Sequence, residues 1–271
     1  MNPADATPLP AAGPAAPAAA TRASILAVTS GKGGVGKTFL SANLAAALTR
    51  RGERVLVLDA DLGLANLDVV LNLVPRITLH DVFTGKAELE DAIVPAPGGF
   101  SVLLAGSGMV EYSRLTPEVR DQLLGVIRSV APRFDRILLD TGAGISDVVL
   151  FAVSLADEVA LVVTSEPTSL TDAYATIKVL SSQQRRGTIR LIVNQVSQIG
   201  EGRGVRAQLQ RVVDRFVNPD AKRPVTLDLI GAVPADKTVR DAVQRRELLL
   251  DIYPGSPAAL AVNAIAARLA P

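Results

Sequence analysis

The sequence predicts an α/β protein with a doubly wound, mostly parallel sheet that carries helices on both faces. Apolar runs of strand length alternate along the chain with longer segments of helical periodicity. Several runs, such as Val55-Leu56-Val57-Leu58, are apolar at every position, which is typical of parallel strands covered on both faces. A glycine-rich segment, GKGGVGKT at residues 31–38, separates the first such run from the first helical segment. In this architecture, ligands bind at the carboxyl ends of the strands.

The order of these segments along the chain predicts seven strands and seven helices. The first helical segment contains no proline and begins directly after the glycine-rich loop. The predicted strands are residues 25–29, 54–58, 101–105, 136–140, 159–164, 190–194 and 229–233. The predicted helices are residues 38–51, 116–131, 147–155, 170–184, 204–216, 239–245 and 257–269.

Composition divides the 271-residue chain into two parts. Residues 1–22 are mostly Ala and Pro without hydrophobic periodicity, which predicts a disordered leader. Residues 23–271 are long enough to bury a core, and we expect them to form a single domain. With no Trp and few aromatic residues, that core must be built from Val, Leu, Ile and Ala.

Composition also excludes several kinds of site. The chain has no Cys, which rules out disulfides and thiolate chemistry and suits a cytoplasmic protein. His80 is the only histidine, so a Ser-His-Asp triad or a His-based metal site is excluded. A net charge of +1 argues against nucleic acid as the main partner. The basic residues around 203–223 are expected to form a solvated helix face, with a nonspecific DNA patch as the alternative.

The segment at residues 31–38 fits the phosphate-binding loop pattern, in which Gly31 and four further residues precede Gly36-Lys37-Thr38. Glycines let consecutive backbone N–H groups curl around a phosphate, and the following helix adds positive potential at its N-terminus. We expect Lys37 to reach the β and γ phosphates and the Thr38 hydroxyl to bind Mg²⁺. The alternative is a glycine-rich turn that binds nothing.

Two further predicted strands end in carboxylates at the edge of the sheet where this loop lies. Strand 54–58 leads into Asp59 and Asp61, and the strand from residue 136 leads into Asp140. An Asp at the end of a buried strand is the usual Walker-B position, so we assign Asp140 to Mg²⁺. Of Asp59 and Asp61, one can support the metal shell while the other orients the attacking water. Each Asp can alternatively cap a turn or a helix.

Together these motifs resemble the MinD/ParA ATPases. The loop is similar to their deviant Walker A motif, which carries a second lysine early in the loop, here Lys32. The resemblance implies that Lys32 crosses the interface of an ATP-bound homodimer to touch the nucleotide of the other subunit. Asp59 and Asp61 match the switch I pair, with Asp61 at the position tied to activating water. Asp140 and the residues after it match switch II.

The resemblance also implies a complete set of site residues. Asn194 falls where the family's adenine-recognising Asn lies, and residues 234–236 match the loop that flanks the base. By resemblance, the catalytic residues are Lys32, Lys37 and Asp61, and the Mg²⁺ residues are Thr38, Asp59 and Asp140. The expected ATP contacts are Gly33, Gly34, Val35, Gly36, Lys37, Thr38, Phe39, Asn194, Pro234 and Asp236.

Within the family, residues 58–68 and 166–174 are similar to segments typical of the flagellar-number regulators, the FlhG/FleN group. That resemblance implies flagellar regulatory partners: a GTPase, a transcription activator or components of the switch complex. The Ala/Pro leader lacks the Asp-Gln-Ala-x-x-Leu-Arg motif with which many members stimulate a GTPase. The segment 256–271 has a single basic residue, Arg268, so packing as the final helix explains it better than membrane binding. Attachment to the inner face of the cell membrane is the alternative.

These inferences predict an Mg²⁺-dependent ATPase that works as a switch: ATP closes two protomers face to face, and hydrolysis opens them. Plasmid or chromosome partition and septum-site placement are alternative roles within the same family. A non-enzymatic adaptor with ATP as a fixed structural ligand is an alternative of a different class, and the three aspartates speak against it.

Overall fold

The doubly wound α/β fold is present in the computed structural model, which describes residues 22–63, 66–106, 114–220 and 223–270. Its strands are β1 (Ser24–Ser30), β2 (Val55–Ala60), β3 (Ile93–Pro95), β4 (Ser101–Leu103), β5 (Arg136–Ala143), β6 (Glu158–Val163), β7 (Thr188–Val196) and β8 (Thr226–Pro234). Across the sheet they run in the order β3-β4-β2-β5-β1-β6-β7-β8. The β3–β4 pair is antiparallel and every other neighbouring pair is parallel.

Helices cover both faces of the sheet. They are α1 (Lys37–Thr49), α2 (Leu67–Val70), α3 (Leu79–Phe83), α4 (Leu89–Ala92), α5 (Pro117–Val130), α6 (Asp147–Ser154), α7 (Pro167–Gln184), α8 (Glu201–Phe216), α9 (Lys237–Arg245), α10 (Leu249–Ile252) and α11 (Pro257–Leu269). Apolar residues of α5, α6, α7 and α8 pack in one core cluster, and those of α1 and α11 pack in the other.

Strand β1 shows why the sheet is buried on both sides. Ile25 and Ala27 belong to the core cluster under α5–α8, whereas Leu26 and Val28 belong to the cluster under α1 and α11. Successive side chains of a strand point to opposite faces, so a strand covered on both faces must be apolar throughout. The central position of β1 places the loop that follows it between the carboxyl ends of β5 and β6.

Several elements differ from the sequence-based expectation. Strand β3 and the helices α2, α3, α4 and α10 were not predicted, because three to five residues are too few to show a periodicity. Helix α8 begins three residues earlier than expected, at Glu201, since the glycines of its first turn hid its start. Apart from Arg22, the predicted leader lies outside the described residues.

Helix α11 packs as the sequence predicts for the final helix. Its apolar residues are buried against the sheet, among them Val262, Ile265 and Leu269. The Arg190 guanidinium donates to the Arg268 carbonyl oxygen over 3.1 Å and so holds the end of the helix against β7. Through the described ranges, every helix is too short or too polar to cross a membrane.

The basic residues near α8 are partly structural. Arg206 Nε donates to the carbonyl oxygen of Leu227 on the edge strand β8, over 2.9 Å. Arg211 and Arg215 are exposed, and the Arg215 guanidinium lies 5.1 Å from the centre of the Phe216 ring. This arrangement agrees with a solvated helix face whose inner edge is tied to the sheet.

Two neighbouring Arg–carboxylate pairs lie at the amino-terminal edge of the sheet, and we expect them to contribute very differently to stability. Arg136 Nε lies 2.9 Å from Glu53 Oε2, and these side chains are 6% and 13% exposed. The same guanidinium donates to the Leu269 carbonyl oxygen at the end of α11, over 2.8 Å. By contrast, Arg54 pairs with Asp135 over 2.7 Å, with side chains that are 62% and 41% exposed.

We expect Arg136→Ala to lower the free energy of unfolding by about 3 kcal/mol, because it leaves Glu53 buried without its cation. Arg54→Ala serves as the matched control and should cost less than about 1 kcal/mol, as exposed ion pairs do. Urea denaturation with linear extrapolation measures both changes. Equal losses of unfolding free energy in the two variants would show that the buried Arg136–Glu53 pair stabilises the fold no more than the exposed Arg54–Asp135 pair.

Candidate functional site

The phosphate-binding loop leads from β1 directly into α1. Gly36 is the N-cap of α1 with φ 92°, and among the described residues no side chain caps this end of the helix. A Cβ atom added at Gly33 or Gly34 would meet no atom of the described ranges within 4 Å, so the outer side of the loop is open there. Backbone N–H groups at an uncapped helix start attract anions. The loop therefore offers the cradle that a phosphate requires.

A polar cluster lies beside the loop, at the carboxyl end of β5. Ser41 Oγ, one helical turn beyond Thr38, donates to Asp140 Oδ1 over 2.8 Å. Burial raises the pKa of Asp140 to about 6, while hydrogen bonds from Thr38 and Ser41 and the Lys37 ammonium act in the opposite direction. Strand β5 and helix α1 thus bring together the three residues expected from the sequence, and Ser41 joins them.

The two switch I aspartates occupy different environments. Asp59 is buried and pairs in register with Asp140 on the neighbouring strand. Its Oδ1 accepts the Asp61 N–H over 3.1 Å, and its Oδ2 lies 3.5 Å from the Leu67 nitrogen at the start of α2. Asp59 therefore caps the backbone after β2, the alternative that the sequence left open, and its metal role stays a prediction.

Asp61 is half-buried and lies against the carboxyl-terminal end of β5. A Cβ atom added at Gly142 would be 3.3 Å from Asp61 Oδ1. A glycine at this position lets the segment after β2 approach the end of β5 closely, so that Asp61 and Asp140 lie at the same edge of the sheet. The Coulombic influence of Asp61 on Asp140 also raises the pKa of Asp140, after the larger effect of burial.

The carboxylates of Asp59 and Asp140 are buried side by side, and a nearby cation would stabilise their charged forms. Burial, followed by repulsion from Asp140, raises the pKa of Asp59 well above its usual value. In the part of the chain that the structure describes, no group of three His, Cys, Asp or Glu side chains forms a metal site by itself. A hydroxyl and one or two carboxylates nevertheless suit Mg²⁺, which keeps several waters and takes phosphate oxygens as further ligands. The donor set of Thr38, Asp140 and Asp59 fits that requirement.

The second loop lysine, Lys32, pairs within its own chain. Lys32 Nζ lies 2.6 Å from Glu166 Oε2 and 2.8 Å from Thr168 Oγ1, both at the start of α7. The Lys32 and Glu166 side chains are 36% and 61% exposed, so solvent screens this pair. The loop lysine is therefore accessible and is held by a weak contact.

The residues expected to lie beside the base meet at the carboxyl ends of β7 and β8. Asn194 is buried in β7, and Pro234 ends β8. Asp236 caps α9 by accepting the Thr238 N–H over 2.9 Å, and its other oxygen lies 3.3 Å from the Ala258 nitrogen in α11. The structure thus places all three at the edge that holds the loop, and their contacts with a base remain predictions.

Phe39 and Val35 have structural surroundings. Both side chains are buried in the core cluster under α1, with exposures of 8% and 3%. Only their backbone groups are therefore available to a nucleotide.

Sequence reasoning missed three residues of this site. Ser41 follows Thr38 by one helical turn, so its position on the Asp140 side was readable from the helix period. Glu166 and Thr168 lie in the segment used to assign the subgroup, but their contact with Lys32 spans more than 130 residues. No local pattern indicates a contact of that range.

Comparisons with known proteins agree with this site. Residues 26–250 match the CobQ/CobB/MinD/ParA nucleotide binding domain. The chain is 43% identical to the antiactivator FleN of Pseudomonas aeruginosa, over 90% of this chain and 85% of that protein. It is 34% identical to the flagellum site-determining protein YlxH of Helicobacter pylori, over 90% and 81% of the two chains.

Among solved structures, the septum site-determining protein MinD of Pyrococcus horikoshii, complexed with Mg-ADP, superposes with a TM-score of 0.72. The two sequences are 30% identical, and the superposition covers 91% of this chain and 96% of the other. The family match covers most of the chain and includes the loop, the three aspartates Asp59, Asp61 and Asp140, and Asn194. The chain therefore belongs to the MinD/ParA family of nucleotide-binding proteins.

Proposed function

We propose that this protein is an Mg²⁺-dependent ATPase that acts as an ATP-gated dimerisation switch in the control of flagellar number or placement. The observation that carries the proposal is the cluster of Lys37, Thr38, Ser41 and Asp140 beside an open phosphate loop, with Asp61 on the same edge. A loop that only bound nucleotide would need no such set of buried carboxylates. The proposal follows the family's chemistry, in which ATP is hydrolysed to ADP and phosphate.

Each group has a defined task in the proposed reaction. The loop N–H groups and Lys37 bind the phosphates, and the carboxylate of Asp61 orients a water molecule for in-line attack. The hydrogen bond from Ser41 holds the Asp140 carboxylate in one orientation next to Thr38. Mg²⁺, when bound, offsets the negative charge of the β and γ phosphates. These tasks require charged side chains held in fixed positions, and the strands of the sheet hold them in place.

Lys32 links nucleotide binding to assembly in this proposal. To reach the nucleotide of a second protomer, Lys32 must leave Glu166 and Thr168. An exposed pair of this kind is worth about 0.2–1 kcal/mol, so dimerisation can break it readily. The contact thus biases the nucleotide-free protein towards the monomer without locking it.

The flagellar role rests on the relatives. The relative with 43% identity is an antiactivator, and another is a flagellum site-determining protein. Flagellar regulatory partners, among them a GTPase, a transcription activator or switch-complex components, follow from the family resemblance. We place the protein in the cytoplasm, with attachment to the inner face of the cell membrane as the alternative. Against that alternative, Val262, Ile265 and Leu269 of α11 are buried, although Leu260 is exposed.

Septum-site placement is the second candidate role. The chain is 34% identical to the septum site-determining protein MinD of Bacillus subtilis, over 90% of this chain and 88% of that protein. The difference between 43% and 34% identity favours the flagellar role. Deleting the gene in its own cell type and counting flagella and minicells separates the two roles.

Size-exclusion chromatography with light scattering tests the switch directly. We expect the wild-type protein to be monomeric alone and with ADP, and dimeric with ATP and Mg²⁺. Lys32→Ala should remain monomeric with ATP, whereas Glu166→Gln should dimerise at up to about fivefold lower ATP concentration, because Lys32 is released. Glu158→Gln, which removes a carboxylate paired with Arg190 elsewhere, is the matched control.

A wild-type protein that binds ATP but stays monomeric at every ATP concentration would contradict the proposed dimerisation switch. Phosphate release in a single turnover separates the ATPase from a non-enzymatic adaptor, which would retain ATP unchanged. Tight ATP-dependent DNA binding that is lost at raised salt would instead favour partition.

A further inference from the structure

Asn194 is bonded to the phosphate loop itself, 159 positions away in the sequence. Its Nδ2 donates to the carbonyl oxygen of Val35 over 2.8 Å, and the residue is only 7% exposed. A Cβ atom added at Gly36 would lie 2.5 Å from Asn194 Nδ2, so only glycine allows this contact. The side-chain amide and the loop backbone are therefore fitted to each other.

The local backbone of β7 holds the Asn194 side chain in this position. The Gln195 N–H donates to Asn194 Oδ1 over 3.0 Å, so both ends of the amide have partners within the protein. Gln195 has φ 59°, in the left-handed region that non-glycine residues rarely adopt. The β7–β8 register also shifts between Val193 and Val196. Strain retained at one position beside a ligand-binding loop points to a functional constraint.

The geometry of one peptide unit explains what this contact does. In a trans peptide the C=O and the following N–H point in opposite directions. When the Val35 carbonyl is bound to Asn194, the Gly36 N–H must therefore point away from Asn194. Without that contact, the Val35 carbonyl loses the donor that fixes its direction, so the direction of the Gly36 N–H is less constrained.

We infer that Asn194 is a positioning residue of the phosphate loop, which fixes the Val35–Gly36 peptide unit before any nucleotide binds. This inference rests on the proposed function, since it assumes that the loop binds phosphate. It differs from the adenine contact implied by the family resemblance, because it requires no base. Asn194 therefore contributes equally to the affinity for any ligand with the same phosphate chain.

Two probes separate the two roles of Asn194. The first is ATP, and the second is inorganic tripolyphosphate, which has the phosphates without a base; both are measured with Mg²⁺ by displacement of a fluorescent nucleotide. We expect Asn194→Ala to weaken both ligands by the same factor, about tenfold, because a buried carbonyl loses its donor. Asn194→Asp, which keeps the size but removes the donor, should have at least the same effect.

The matched control is Asn218→Ala. Asn218 also fixes a backbone segment, because its Oδ1 accepts the Val225 N–H over 2.7 Å. This contact lies at the amino-terminal end of β8, whereas Asn194 lies near the carboxyl end of β7. This variant should lower the melting temperature and leave the affinities for ATP and tripolyphosphate unchanged.

Hydrogen–deuterium exchange of the nucleotide-free proteins gives a second, ligand-independent result. We expect faster exchange in the peptide that contains residues 33–38 for both Asn194 variants, and no change there for Asn218→Ala. If the variants lose ATP affinity alone and their loop exchange is unchanged, Asn194 reads the base and the inference is wrong. If the wild-type protein binds neither ligand, the proposed function itself fails.

Discussion

Replacing Lys37 with alanine is expected to weaken ATP binding by about a hundredfold, the loss of a charge-assisted contact with phosphate oxygens. Lys37 is the first residue of α1, so its ammonium group lies where the helix start and the loop N–H groups already favour an anion. Its positive charge also lowers the pKa of Asp140. Removing Lys37 therefore takes a cation both from the phosphates and from the buried carboxylate.

Isothermal titration calorimetry with ATP and Mg²⁺ measures this loss. Lys178→Ala, which removes an exposed lysine from α7, is the control and should bind ATP like the wild-type protein. The circular dichroism spectra of the two variants should be identical, since Lys37 is only half-buried. Unchanged ATP affinity in Lys37→Ala would refute the assignment of the phosphate loop.

The central strands and the loop were predictable because their signals are local. Strand β1 is apolar on both faces, and the glycines and Lys37-Thr38 follow it without a gap. Asp59 and Asp140 follow the apolar runs of their strands, so parallel pairing was sufficient to place them side by side. Periodicity and strand ends therefore predict which residues share the edge of the sheet.

The contacts within the site were not predictable from local pattern. The Asn194–Val35 hydrogen bond and the Lys32–Glu166 pair join residues that are far apart in sequence, and no local pattern indicates which residue Asn194 or Lys32 contacts. Asp59 illustrates a different difficulty. An acid at a strand end can bind a metal or cap a backbone, and here its oxygens face the N–H groups of Asp61 and Leu67. Residue type and position leave that choice open because both uses need the same group.

Replacing Asp61 with alanine should separate ATP binding from ATP hydrolysis. Asp61 lies beside Gly142 at the edge that carries Asp140, and it is absent from the loop that holds the phosphates. We therefore expect ATP affinity within about threefold of the wild type, a change of less than 1 kcal/mol. We expect the hydrolysis rate to fall by about a hundredfold or more, the usual contribution of a group that orients or activates water.

Loss of hydrolysis should make the dimer persistent. If hydrolysis opens the two protomers, Asp61→Ala with ATP must accumulate as a dimer, while the same variant with ADP must remain a monomer. Light scattering after size exclusion measures the masses, and single-turnover phosphate release measures the rate. Asp228→Ala, which removes an exposed carboxylate near the amino-terminal end of β8, is the control and should hydrolyse ATP at the wild-type rate.

The two readouts for Asp61→Ala test different parts of the proposal. A wild-type hydrolysis rate would remove Asp61 from the reaction but leave the loop and the dimer intact. An inactive variant that binds ATP and stays monomeric would instead show that ATP does not hold the protomers together. Because Asp61 repels Asp140 electrostatically, the substitution also lowers the cost of burying the remaining negative charge. Thermal unfolding of the variant, followed by circular dichroism, shows whether a loss of activity comes from loss of the fold.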